Sequence, residues 1–170
     1  MQILYFTMFM ISLVTYAILS LPPAEERFKQ DNKVFAVHMS SWHRAAMQEC
    51  IDNGCAGSVD ATPSLPSVIS GSPAFATARF ETNYDAASNF LLTNVLAGVP
   101  ASTGLSFPVI ISGLNEGLNG ESSSIGIFKS AGSRVVFTTL SNSHTRPPVN
   151  LPAALSAGVP DGAPVIISSL

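Results

Sequence analysis

The chain has 170 residues, a formal charge of −3 and only 11% charged residues, so it lacks the basic footprint that nucleic-acid binding requires. Nor does it contain a basic helix suited to gripping anionic lipid. With 12 Gly and 12 Pro, it should be rich in short strands and turns, its surface covered by Ser, Thr, Asn and backbone groups more than by charge.

No side chain is charged over residues 2–24. The apolar run 3–21 is long enough, at about 1.5 Å per residue, to cross a hydrocarbon layer of about 30 Å. Residues 1–24 are therefore expected to form a transmembrane anchor that contacts the lipid bilayer through residues 3–21. A cleaved signal peptide is the rival reading, but no Lys or Arg precedes the run and Leu19 stands where a cleavage site needs a small side chain. A helix buried in protein is the third. A prepilin leader would need a short basic stretch ending in Gly, which is missing. Arg27, Lys29 and Lys33 by count favour a cytoplasmic body. They are balanced by Glu25, Glu26 and Asp31, and the exported-domain features of the rest favour a periplasmic one.

Pro22 and Pro23 make a stiff exit into a polar juxtamembrane segment, residues 25–33. The body, 34–170, divides at most into two subdomains near residue 98. Phe35, Met39, Trp42, Ala46 and Cys50 recur every three or four residues and predict one face of a helix, with Trp42 seating it on a sheet. Asn53-Gly54 is a helix stop, Gly54 suiting the left-handed cap. Cys50 and Cys55 are the only cysteines. They could close a small ring in an oxidising compartment, which is the favoured reading, or remain two thiols. His38 and His43 share the helix with them, but a spacing of five turns the rings about 140° apart, so no metal site is expected.

Residues 56–73 are rich in Gly, Ser and Pro, with one candidate edge segment at 65–69. Phe75, Ala78 and Phe80 alternate as in a strand, and Ala86, Ala87, Phe90, Leu91, Val95 and Leu96 favour a following helix over a further strand. Ala-Gly-Val-Pro at 97–100 precedes Pro-Val-Ile-Ile-Ser at 108–112, and the same order returns at 157–160 and 164–168. Both copies read as a turn leading to a β-branched strand, although their different separations fall short of a true repeat. Between them, 124–128 and 134–140 are strand candidates joined by the turn 130–133. Residues 115–124 and 142–148 read as polar loops, and 152–158 as a helical turn.

No constellation of catalytic residues emerges. Glu81 with Asp85, and Glu116 with Glu121, have no spacing that defines a shared cleft. His144 has no nucleophile elbow beside it, and Gly113, Gly117 and Gly120 do not form a phosphate loop. The chain is expected to be non-catalytic, with no cofactor.

The amino-terminal apolar segment, the helix at 35–50, the Gly/Ser-rich middle and the final turn-strand unit at 158–167 together resemble the small PilM proteins of type IVb and conjugative thin pili. The resemblance covers almost the whole chain. It implies an inner-membrane, single-pass component of pilus assembly, the basal body or pilin transport, with its body in the periplasm and other pilus-assembly or pilin proteins as partners. It carries over no catalytic residue and has no known place for the Cys50/Cys55 pair. A minor pilin or secreted surface subunit is the alternative, and a small periplasmic enzyme the next. The expected fold is α+β: one N-terminal transmembrane helix followed by a helix packed on a largely antiparallel sheet. Trp42, Gly54, Gly158, Pro160 and Gly162 are its expected structural residues.

Overall fold

The structure, a computed structural model, describes residues 2–20, 24–65, 80–99, 106–117, 124–137 and 147–170. Two compact units are present, Met1–Asp31 and Asn32–Leu170.

In the first unit, α1 spans Gln2–Ser20, 19 residues. At 1.5 Å per residue it covers about 28 Å. Thr7, Ser12, Thr15 and Tyr16 interrupt its apolar side chains, and the Thr15 hydroxyl bonds back to the Ile11 carbonyl at 2.8 Å. Among the described residues no helix is long and apolar enough to cross a membrane. The expected transmembrane anchor at 1–24 is thereby corrected, and with it the lipid bilayer as a partner through residues 3–21. Inner-membrane placement with a periplasmic body falls as well. So does the role that depended on it, a component of thin-pilus assembly or pilin transport partnered with pilus proteins.

The second unit is α+β. A helix, α2 (Ala24–Asn53), packs its residues from Phe35 onward on an antiparallel sheet. The strands are β1 (Gly57–Ser58), β2 (Phe80–Asp85), β3 (Phe90–Val95), β4 (Ser124–Lys129), β5 (Arg134–Phe137), β6 (Val149–Asn150) and β7 (Pro164–Ser169). Among the described residues they form one sheet in the order β1-β2-β3-β7-β4-β5-β6. Two further helices are α3 (Phe107–Gly117) and α4 (Ala153–Ser156).

Strand alternation gives the sheet two buried faces. Leu91, Thr93 and Val95 of β3 and Ile166 of β7 point towards α2, where Phe35, Ala36 and Met39 meet Phe80, Val99, Ile110 and Leu114. Phe35 and Phe80 pack edge to face, centroids 5.2 Å apart, and Trp42 lies 6.2 Å from Phe80. Leu92, Val165 and Ile167 point the other way. There they meet Phe128 and Val135 beneath Leu151, Leu155 and Val159, carried by the segment around α4.

Two expectations about local structure are corrected by this packing. Residues 90–95 form a strand, not a helix: paired on both sides by β2 and β7, they bury Leu91 through Val95 without interruption. A strand covered on both faces reads as a continuous apolar run, which periodicity cannot tell from a helix. Residues 108–112 form the start of α3, not a strand. Pro108 stands in its first turn, where no amide donor is missed, and Val109 and Ile110 both donate to the Ser106 carbonyl. The proposed edge segment at 65–69 beyond Leu65, the Phe75/Ala78 alternation and most of the loops at 115–124 and 142–148 lie outside the described residues.

Candidate functional site

α2 ends at Asn53, and Gly54 follows at φ +80°, its amide donating to the Cys50 carbonyl at 3.0 Å. This left-handed cap turns the chain back, and a disulfide joins Cys50 to Cys55 with Cα atoms 4.7 Å apart. Beside it lies a groove of about 430 Å³, walled by Met47, Ile51, Tyr84, Leu170 and the disulfide itself. Its lining includes neither His43 nor Ser168.

Deeper between α2 and the sheet runs a chain of polar side chains. The Trp42 indole Nε1 donates to Thr82 Oγ1 at 3.1 Å, and the Thr82 and Thr93 hydroxyls lie 2.7 Å apart. Thr93 Oγ1 is 2.8 Å from His43 Nδ1, and His43 Nε2 is 2.8 Å from Ser168 Oγ. Indole N–H only donates, so a one-way ordering satisfies each link: Thr82 donates to Thr93, Thr93 to Nδ1, and Nε2–H to Ser168. His43 is 1% exposed, and burial pushes its pKa down to about 4. The imidazole is neutral at pH 7 and bonds α2 to β3 and β7 at once, while Trp42 bonds it to β2.

An imidazole within hydrogen-bond reach of a serine is the arrangement of a nucleophile and its base. Here the imidazole is oriented by a threonine hydroxyl instead of a carboxylate, so an imidazolium formed during proton transfer would lack the stabilising anion of a triad. The chain as built is suited to holding α2 in one register on the sheet, since a slip by one position would break the Trp42–Thr82, His43–Thr93 and His43–Ser168 bonds and leave the indole N–H, both imidazole nitrogens and the Ser168 hydroxyl without these partners.

The remaining candidates are dispersed. His38 is buried and burial lowers its pKa, but among the described residues no group of three metal-ligating side chains forms around it, His43 or the cysteines. Asp85 accepts the Ser88 hydroxyl and amide at 2.7 and 2.9 Å, which depress its pKa and commit it to the β2–β3 turn. Glu81 sits on the same strand, facing away from α2. Gly113 and Gly117 belong to α3, and Glu116 is on that helix. Gly120, Glu121 and His144 lie outside the described residues. Gly158 and Gly162 adopt φ +82° and +78° around Pro160. That turn is tied to the β4–β5 turn by Asp161, whose carboxylate accepts the Ser130 amide and hydroxyl at 2.8 and 3.0 Å.

Sequence reasoning missed Thr82, Thr93 and Ser168, and met His43 only as a rejected metal ligand. A signal existed: Thr93 and Asn94 interrupt the run Leu91-Leu92-Thr93-Asn94-Val95, and polar residues inside so apolar a strand must find partners. Comparison with protein-family models, with curated proteins and with solved structures finds no match to this chain.

Proposed function

We propose that this chain is a non-catalytic structural subunit whose body is a rigid module and whose α1 joins it to further copies of itself. One observation carries the reading. Phe6, Met8, Phe9, Met10, Ile11, Leu13 and Tyr16 are all exposed, Phe6 at 65% and Tyr16 at 75%. At 100° per residue these positions surround the helix. An apolar surface of this kind marks an association site. A single flat partner would cover one side only, whereas a bundle of like helices covers all of them. No charge in α1 selects a different partner, and each copy supplies the same surface. The polar chain at His43 supports the non-catalytic part, because it is used in packing and does not open into the groove. The resemblance of the helix at 35–50, the Gly/Ser-rich middle and the turn-strand unit at 158–167 to the small PilM proteins is retained as a proposed kinship, without the membrane placement.

Analytical ultracentrifugation of the full chain tests this reading. A discrete assembly is expected, shifted towards monomer by Phe9→Gln with Leu13→Gln. A monomer at micromolar concentration, or monomeric uptake of the chain into phosphatidylcholine vesicles, would refute it.

The 2.8 Å approach of Ser168 Oγ to His43 Nε2 favours one alternative, a serine nucleophile. Labelling of wild-type protein by a fluorophosphonate, absent from Ser168→Ala and His43→Gln, would establish it.

A further inference from the structure

Cys50 and Cys55 both line the groove of about 430 Å³ at the end of α2, so their disulfide forms part of its wall and is not sealed inside the core. The two ends of the bond differ in access. Cys50 is 7% exposed and belongs to the cluster of Ala45, Ala46 and Val59, whereas Cys55 is half-buried and follows the exposed Gly54. The side chains of Met47, Ile51, Tyr84 and Leu170 complete the wall without a charge, and Ile51 is 68% exposed. A cleft of this volume is in the range that takes a small ligand or a few side chains. What distinguishes it is an electrophile in its wall, since a disulfide sulfur is the natural target of a thiolate.

We propose that the groove receives an apolar, cysteine-bearing segment of another protein, whose thiolate exchanges with the Cys50–Cys55 disulfide at Cys55. The incoming sulfur forms a bond to Cys55 Sγ as the S–S bond breaks, and Cys50 leaves with the electron pair as a thiolate that takes a proton from water. The partner's sulfur is oxidised to the disulfide level and Cys50 is reduced, so no further oxidant or reductant is consumed. A second copy of this chain is not the occupant, because its only two cysteines are both in the ring. Cys50 stands in the last turn of α2, where the helix carbonyls concentrate negative potential, and among apolar neighbours; both disfavour its thiolate. The ring therefore resists a thiol that does not dock. It recloses when Cys50 attacks Cys55 Sγ in the mixed disulfide and expels the partner's thiolate. Selectivity comes from the groove: apolar groups beside the partner's thiol are buried against Met47, Ile51 and Tyr84, and an aromatic one also meets the sulfurs of the wall. The exchange is stoichiometric and uses neither α1 nor the association proposed for it.

Opening of the ring in the full wild-type chain by benzyl mercaptan and by 2-mercaptoethanol, two thiols of similar acidity, tests the site. Samples are quenched with iodoacetamide, opened chains are counted by intact mass, and the first thiol adduct is located by peptide mapping. In native buffer benzyl mercaptan should be favoured about tenfold more than it is in concentrated urea, the size expected for burying part of its ring. The first adduct should lie on Cys55, and Ile51→Ser should move the native preference towards the urea value. A native preference equal to that in urea would overturn the proposal, as would a first adduct on Cys50. The wild-type comparison needs no variant to fold, and because it is read by mass its outcome is independent of the oligomeric state.

Discussion

Nδ1 of His43 lies 2.8 Å from the hydroxyl of Thr93, fifty residues further along the chain, and this bond fixes α2 over the third strand of the sheet. Burial of the same imidazole makes folding sensitive to pH. The folded-state pKa of His43 is about 4 against 6.5 for a free imidazole, so between those values the unfolded chain binds the extra proton. Stability should therefore be complete above about pH 6.5 and fall as the pH drops towards 4, by about 3 kcal/mol. Urea denaturation at pH 4.5 and 7.5 measures it, and His43→Gln should flatten the difference.

Thr93→Val keeps the shape of the side chain and removes the hydroxyl that serves both His43 and Thr82. The buried ring nitrogen is then left unpaired, at a cost of about 1–3 kcal/mol. The double variant Thr82→Val, Thr93→Val should lose less than the sum of the single changes, because the second removes a group that the first has already orphaned. Strictly additive losses in denaturant midpoints would show that the hydroxyls act separately.

Gly126 lies against β5, where an added Cβ would overlap Val135 Cγ1 and approach the Val136 carbonyl oxygen to 3.1 Å. Gly126→Ala should destabilise the body by about 1–3 kcal/mol. Adding Val135→Ala removes the overlapping methyl, so the overlap part of that loss should disappear, although Val135→Ala brings a cavity cost of its own. A thermal-unfolding double-mutant cycle separates the two terms.

Reducing the Cys50–Cys55 disulfide opens a short loop, for which the chain-entropy estimate is about 2 kcal/mol. The loss should appear in the denaturant midpoint on adding a reductant and be absent from a Cys50→Ala, Cys55→Ala variant. Amide exchange should accelerate mainly around residues 54–58, where the ring holds the chain leaving α2.

Met39 is completely buried among Phe35, Phe80 and Ile110. Met39→Ala should cost about 2–5 kcal/mol, whereas Val37→Ala, on the exposed side of the same helix, should lie within about 0.5 kcal/mol of wild type. Equal effects at the two positions would contradict the assigned helix face.

The sequence by itself determined the elements whose signals are local. The three-to-four spacing from Phe35 to Cys50 describes the buried stripe of α2, and Asn53-Gly54 its end. The turn at 130–133 between two β-branched runs describes the β4–β5 hairpin. The uncharged, largely apolar stretch 2–20 showed a helix that needs covering on every side, but no described helix is long and apolar enough to cross a membrane.

Only the tertiary structure decided what Pro-Val-Ile-Ile-Ser becomes, because the same five residues occur twice and fold differently. At 108–112 the following Gly113-Leu114 continues a helical stripe, and Ile110 with Leu114 reaches the core under α2. At 164–168 the pentapeptide lies between β3 and β4. Both rows of backbone groups are paired there, and Val165 and Ile166 are buried on opposite faces. Intrinsic preference for β-branched residues in strands is worth about 1 kcal/mol at most, less than the burial of two or three such side chains. The same reason hid the His43 chain: its members come from α2, β2, β3 and β7, and only the packing of those four elements brings them within hydrogen-bond distance.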